Sequence, residues 1–167
     1  MKKTDLKTLG QENAFDLISK QWMLVTAGNG EKFNTMTASW GGLGFLWNKP
    51  VAFVFIRPER YTHKFVEANE RLTLSFYTEE WRMALQLCGT KSGRDTDKIA
   101  ATGLTPVELE SGAITFEEAR LKLDGKKLFK ADMKEADFVD KKVMEQWYND
   151  KPGGSLHSVY VVEIENV

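Results

Sequence analysis

The sequence predicts a mainly β protein, an antiparallel barrel carrying peripheral helices, in a single domain over residues 1–167. Three observations lead there. Short apolar segments of strand length succeed one another across turn signals. Helical segments are inserted among them irregularly, without the βαβ rhythm of a doubly wound sheet. No Gly-x-Gly-x-x-Gly follows a first strand and no Gly-Lys-Ser/Thr phosphate loop occurs, so any nucleotide-like ligand must be held by other means.

Near the N-terminus, after Gly10, the residues Ala14, Leu17 and Ile18 share one helical face with Phe15 adjoining it. Residues 22–27 read as a strand, Gly28-Asn29-Gly30 as a turn, and residues 34–40 as the returning strand of a hairpin. Residues 51–56, Val-Ala-Phe-Val-Phe-Ile, form a continuous apolar run expected to be buried on both faces. A short helix follows at 61–69, with Thr62 as its N-cap. Residues 71–77 alternate Leu72, Leu74 and Phe76 as a strand does. Residues 79–87 are helical in pattern and are followed by Cys88, 91–97 are loop-like, and 99–101 belong to a short helix closed by Gly103. From 105 to 133 the reading is strands in hairpins, with Asp124-Gly125 as the turn between 119–123 and 127–129. Residues 138–148 suit a helix, Pro152-Gly153-Gly154 a loop, and 158–164 a closing strand. No repeat, low-complexity tract or linker divides the chain.

Composition narrows the function classes. A chain of 167 residues supports one core of useful size. A formal net charge of −1 argues against a nucleic-acid partner. No apolar run reaches membrane-spanning length, and no signal-type core follows Met-Lys-Lys. Cys88 is the single cysteine, so no internal disulfide forms and a reducing cytoplasm is the expected compartment. One cysteine and two histidines make no structural zinc site. Five tryptophans and ten phenylalanines mostly serve a core, but such a surplus also suits ring-binding pockets and dimer interfaces.

Three segments carry the chemistry. Asn34-Thr-Met-Thr-Ala-Ser-Trp-Gly-Gly-Leu-Gly44 places small and hydroxyl-bearing residues where a core strand carries bulk. It reads either as a tight bend at a barrel corner or as backbone that a planar ligand approaches closely. Arg57-Pro-Glu-Arg-Tyr-Thr-His-Lys64 joins a strand to a helix start; free N–H groups, the helix dipole and two arginines suit a phosphate, unless the segment is merely a solvated cationic loop. Ser92-Gly-Arg-Asp-Thr-Asp-Lys98 offers Ser92 and Lys98 to an anion, with Asp95 and Asp97 able to neutralise its cations instead.

In order and spacing these segments, with Cys88-Gly-Thr-Lys-Ser-Gly-Arg-Asp95 and His157-Ser-Val-Tyr-Val-Val-Glu-Ile164, resemble the flavin reductase-like proteins, flavoredoxins included, from about Trp22 onward. The resemblance implies an antiparallel Greek-key split β-barrel that dimerises and binds FMN near the subunit interface. It implies cofactor contacts from Asn34, Thr35, Met36, Thr37, Ala38 and Ser39, the 35–39 backbone and hydroxyls facing the flavin ring and ribityl chain. Arg57, Tyr61, Thr62, Ser92 and Lys98 would surround the ribityl and phosphate end. His157 resembles a histidine near the flavin, where it would bind the nicotinamide donor or steer a proton; a strand-edge histidine bonded to backbone is the alternative. His63 reads as structural or exposed, and Cys88 as a small buried hydrophobe, with a redox role as the alternative. The region 130–150 reads as a solvated charged face, as a lid over the flavin, or as a surface packed on the partner subunit. The implied activity is transfer of electrons from NADH or NADPH through flavin to an acceptor; the alternative is an FMN-binding electron carrier served by a partner protein.

Overall fold

The computed structural model describes residues 6–148 and 155–167. In chain order it contains α1 (Leu6–Gly10), α2 (Ala14–Asp16) widening into a π-turn (Leu17–Gln21), β1 (Met23–Asn29), β2 (Lys32–Ala38), β3 (Gly41–Leu46), β4 (Lys49–Ile56), α3 (Tyr61–Ala68) and β5 (Arg71–Phe76). Then come α4 (Arg82–Thr90), α5 (Lys98–Thr102), β6 (Pro106–Glu108), β7 (Ile114–Phe116), β8 (Leu121–Asp132), α6 (Lys141–Tyr148) and β9 (Ser158–Asn166). Seven strands form one sheet in the order β2-β1-β5-β8-β9-β4-β3, and β6 pairs with β7 in a separate ribbon. Every ladder is antiparallel.

That order rolls the sheet. Strands β2 and β3 lie at opposite edges, yet only Ser39 and Trp40 separate them in sequence. Laid flat, seven strands would put these edges roughly 29 Å apart. The three Cα steps between Ala38 and Gly41 reach at most about 11 Å. The sheet therefore curls until its edges meet, and among the described residues no ladder joins β2 to β3. The result is a split barrel. Its interior is packed by Met23, Val25, Ile56, Leu74, Phe76 and Tyr160, among others, all nearly or fully buried. A second cluster, including Leu24, Leu85, Cys88 and Phe116, lies under α4.

Several expectations are corrected. The first hairpin reverses at Gly30-Glu31, since Asn29 still pairs with Lys32. The glycine-rich run after Trp40 forms the edge strand β3, closed onto β4 through Trp47-Asn48 at φ 51° and 58°. Positive φ at both positions is what a two-residue hairpin demands. The 51–56 run is not buried on both faces: Phe53 and Phe55 remain half-buried on the outer side. Asp124-Gly125 is no turn; it lies inside the twelve-residue strand β8, at a bulge against β9. Gly125 is needed there because a Cβ would stand 2.4 Å from Val162 Cγ1 and 3.1 Å from Glu163 O. Gly125→Ala should therefore lower the unfolding free energy by about 1–3 kcal/mol through overpacking, measured as a lower urea midpoint with an unchanged slope. The N-cap of α3 is Arg60, not Thr62, and makes no side-chain cap bond. Cys88 lies within the last turn of α4 rather than after it. The Pro152–Gly154 loop falls outside the described residues. Among those residues, no helix is long and apolar enough to cross a membrane.

Candidate functional site

At the barrel's split, residues 36–40 form one side of a cleft of about 160 Å³, with Phe55, Arg57, Arg60 and His157 completing it. Met36, Thr37, Ala38 and Ser39 thus come together on one side of it, and Arg57 joins them rather than the Tyr61, Thr62, Ser92 and Lys98 group it was expected to accompany. Asn34 and Thr35 do not line the cleft. Thr35 hydrogen-bonds inward, Oγ1 lying 2.9 Å from Thr26 Oγ1, and Asn34 Nδ2 donates to Thr62 Oγ1 at 2.7 Å. These two residues brace β2 against β1 and α3 from behind.

A second cleft, also about 160 Å³, lies between the start of α3, the end of α4 and the loop before α5. Tyr61, Thr62, Ser92 and Lys98 all line it, as do Arg60, Lys91 and Arg94, against the single carboxylate of Glu59. Four cations facing one anion is a donor set suited to a phosphate. Gly93 keeps the loop close, because a Cβ there would come within 2.0 Å of Asn34 Oδ1. Arg94 is held by its guanidinium over the Tyr61 ring at 4.8 Å and by donation to Glu59 O at 3.1 Å. Lys98 is buried, its ammonium donating to Thr35 O at 2.7 Å and Cys88 O at 2.9 Å. Burial pushes its pKa down to about 8, which a nearby anion would reverse.

Arg60 and Arg94 were not singled out as ligands from sequence, although the two-arginine reading of the 57–64 segment pointed at the first. Arg60 lines both clefts. It is half-buried, and that burial lowers its pKa from the usual value. Arg57 is placed differently from expectation: it lines the cleft of residues 36–40 but not the cationic one. Its Nη2 donates to Trp147 O at 2.7 Å, and its guanidinium lies 4.9 Å from the centre of the Tyr148 ring.

His157 is 7% exposed and is enclosed by the rings of Trp40, Phe55 and Tyr148, with centroids 5.5–6.3 Å away. Its Nδ1 pairs with Tyr148 Oη at 2.7 Å, so it bonds to a side chain of α6 rather than to backbone. Burial first, and the Arg57 guanidinium second, push its pKa down to about 4. The imidazole is therefore neutral near pH 7. In the unfolded chain it titrates near 6.5. Between pH 6.5 and 4 the unfolded chain takes up a proton that the folded one refuses, so stability falls as pH drops through that window and is fully retained above it. His157→Asn should flatten this slope, seen as a smaller loss of denaturation midpoint between pH 7 and pH 4.5 than in the parent. His63 is structural, Nε2 lying 3.1 Å from Ser158 Oγ.

Next to the cleft of residues 36–40, the side chains of α6 enclose a further cavity with Trp40 and Phe55. The 138–148 helix is thus shorter than expected, beginning at Lys141, and none of its described residues is buried.

The flavin reductase like domain family matches residues 15–167. The chain belongs to the flavin reductase-like family. Solved structures share its fold. A flavoredoxin of Desulfovibrio vulgaris (Miyazaki F) superposes with a TM-score of 0.65 at 22% identity, over 98% of this chain and 74% of that one. An FMN-binding protein from Thermus thermophilus, crystallised with bound 1-cyclohex-2-enone, gives 0.64 at 22% identity over 86% and 66%. The NADH:FAD oxidoreductase of Streptomyces globisporus gives 0.61 at 16% identity over 86% and 71%. This flavin reductase-like chain spans just under two thirds of the length of the Thermus protein. No match was found among curated proteins.

Proposed function

We propose that this flavin reductase-like protein binds FMN and passes electrons from a reduced nicotinamide, NADH or NADPH, through the flavin to an acceptor. The observation that carries the reading is the pair of clefts joined by Arg60. One is small-residue backbone faced by aromatic rings, suited to the isoalloxazine; the other is cationic and sits at a helix start, suited to the ribityl phosphate. Met36, Thr37, Ala38 and Ser39 would face the ring, and Arg60, Arg94, Ser92 and Lys98 the phosphate. Bound flavin supplies the hydride chemistry, and the protein supplies orientation, burial and charge. Neutral His157, fixed by Tyr148, is a candidate catalytic residue at the ring end that can hold or relay a proton. The related structures named FMN-binding protein, flavoredoxin and NADH:FAD oxidoreductase support both cofactor and reaction class.

A second reading, an FMN-binding electron carrier reduced by a protein partner, is favoured by one observation. Among the described residues, none that lines the cavity under α6 carries a charge, and the nearby Arg57 guanidinium is already held by Trp147 O, which leaves little to answer a dinucleotide pyrophosphate. Gel filtration after FMN loading, followed by NADH and NADPH oxidation assays, separates the two. Retained flavin with turnover supports the reductase, retained flavin without turnover supports the carrier, and a colourless, inactive protein refutes both.

We place the protein in the cytoplasm as a homodimer. Phe45, Trp47 and Phe129 are 68%, 55% and 48% exposed around the β3–β4 hairpin tip and β8, with Trp47 and Phe129 in edge contact at 6.1 Å. An aromatic patch of this kind on an edge strand suits an isologous contact. Light scattering should give twice the 19.0 kDa subunit mass; a monomer at micromolar concentration would rule the dimer out.

A further inference from the structure

Among the described residues, two buried side-chain polar atoms have no hydrogen-bond partner, Tyr77 Oη and Arg82 Nη1. Both residues line one pocket of about 330 Å³ at the start of α4, walled also by Gln21, Thr78, Leu85 and Arg120. It shares no lining residue with the cleft of residues 36–40, the cationic cleft or the cavity under α6. Tyr77 is 3% exposed, and the hydroxyl of its neighbour Ser75 is paired with Thr115 Oγ1 at 2.9 Å. Arg82 is held on its other edges. It donates from Nε and Nη2 to the two Glu79 oxygens at 3.3 and 3.2 Å, and from Nη2 to Lys20 O at 2.6 Å. Its guanidinium also stands over the Trp22 ring at 4.2 Å. Trp22 follows the π-turn and takes φ 66° and ψ 169°, a region that residues with a Cβ rarely enter. Strain of this kind and π-turns both gather at functional sites.

We propose that this pocket binds a small monocarboxylate, its oxygens accepting from Tyr77 Oη and Arg82 Nη1 and its short apolar chain lying against Leu85. A buried donor without an acceptor has lost its water and gained nothing, so a ligand oxygen recovers that loss on binding. Arg82 Nη1 can only donate, and the phenol O–H donates readily, so acceptor oxygens answer both. A guanidinium bonds a charged oxygen about twice as strongly as a neutral one, which favours carboxylate over amide. The surrounding charges limit the ligand to one negative charge. Glu79 lines the pocket and is bonded by Arg82, while Glu12 accepts from both Nη atoms of Arg120 at 2.7 and 3.1 Å. Glu118, the other carboxylate beside Tyr77, accepts from the Thr105 N–H at 3.0 and 3.1 Å. With both cations matched in this way, a phosphate dianion would be desolvated there without being neutralised. The Glu79, Lys20 and Trp22 contacts fix the guanidinium beforehand, so little side-chain freedom is lost on binding. The site is separate from the flavin reading and stands without it.

Propionate and propionamide have nearly the same shape and differ in charge, and inorganic phosphate serves as the competing oxyanion. Each is titrated at constant ionic strength into the full-length, isotope-labelled protein while the Trp22 indole N–H resonance is followed by NMR; Trp22→Phe identifies that resonance. Propionate should shift it saturably and bind about 10-fold more tightly than propionamide or phosphate. Tyr77→Phe removes a hydroxyl that nothing in the protein bonds. It should keep the parent's urea midpoint or raise it, and should weaken propionate about 5-fold. Arg82→Gln should abolish the binding, and because it also releases Glu79 and Lys20 O the Tyr77 variant carries the decision. A shift that does not saturate, as expected if a water molecule alone answers the two donors, would overturn the proposal. So would propionamide or phosphate binding as tightly as propionate, an unchanged propionate affinity in Tyr77→Phe, or a lowered urea midpoint in that variant. FMN retention is measured on the same sample, and its loss or presence bears on the flavin reading alone.

Discussion

Arg60→Ala should weaken FMN binding by about 100-fold while leaving riboflavin affinity nearly unchanged. Among the described residues, Arg60 is the one common to the ring-sized cleft and the cationic cleft. Its contact with Cys88 O is long, 3.4 Å, so most of its five donors remain available to a ligand. A hydrogen bond to a charged group contributes about 1.5–3 kcal/mol, which corresponds to roughly 10- to 150-fold in affinity. The upper part of that range applies because the guanidinium is already partly desolvated beside Cys88 O of α4, so ligand binding adds less further desolvation than at an exposed arginine. Riboflavin lacks the phosphate and serves as the control. Quenching of flavin fluorescence on titration measures both. Parallel losses for FMN and riboflavin would place Arg60 against the ring, and an FMN affinity that does not move would remove the phosphate assignment.

Arg71→Ala should cost about 3–5 kcal/mol of stability, a large part of what holds a domain of this size together. Asp124 is 1% exposed in β8, opposite β5. Arg71 donates to Asp124 Oδ1 from Nη2 at 2.9 Å, and its Nη1 reaches Glu165 Oε2 at 2.7 Å. Asn166 Nδ2 serves the other Asp124 oxygen at 3.0 Å. Removing the guanidinium leaves a buried carboxylate with one neutral donor. The charge, rather than the lost packing, dominates the loss. Arg71→Met combined with Asp124→Leu should therefore recover much of it, because an apolar pair requires no such compensation. Urea denaturation of the single and double variants decides the matter. A double variant as unstable as Arg71→Ala would show that packing, not the stranded charge, is responsible.

Where hydrophobic period and turn chemistry agreed, the elements were readable in one dimension. The 61–69 helix, the alternating 71–77 strand and the closing strand all appear within a residue or two of their expected bounds. The misses have specific causes. Gly41, Gly42 and Gly44 carry no alternation to read, so β3 is visible only through its ladder to β4. Asp124-Gly125 has a turn's chemistry, but the same pair serves a buried ion pair and a close strand crossing. A polar residue at a turn and a polar residue with a distant partner look alike until the partner is known. The site divides in the same way. The small-residue strip and the cationic segments were legible as residue types. That Thr35 faces inward, that Arg57 reaches α6 and that Arg60 bridges the clefts depended on contacts far apart in sequence.

Local chemistry in this chain dictates a β-rich protein with inserted helices and an anion-friendly segment at 57–62, because periodicity, turn residues and charge type act over a few neighbours. The rolled sheet, the split at Ser39-Trp40 and the aromatic cage around His157 arise only when residues as far apart as Val51 and Glu163 are paired. Register decides which face of β2 looks outward, and burial decides that His157 stays neutral. Both are set by the sum of long-range contacts, which no local stretch of the chain encodes.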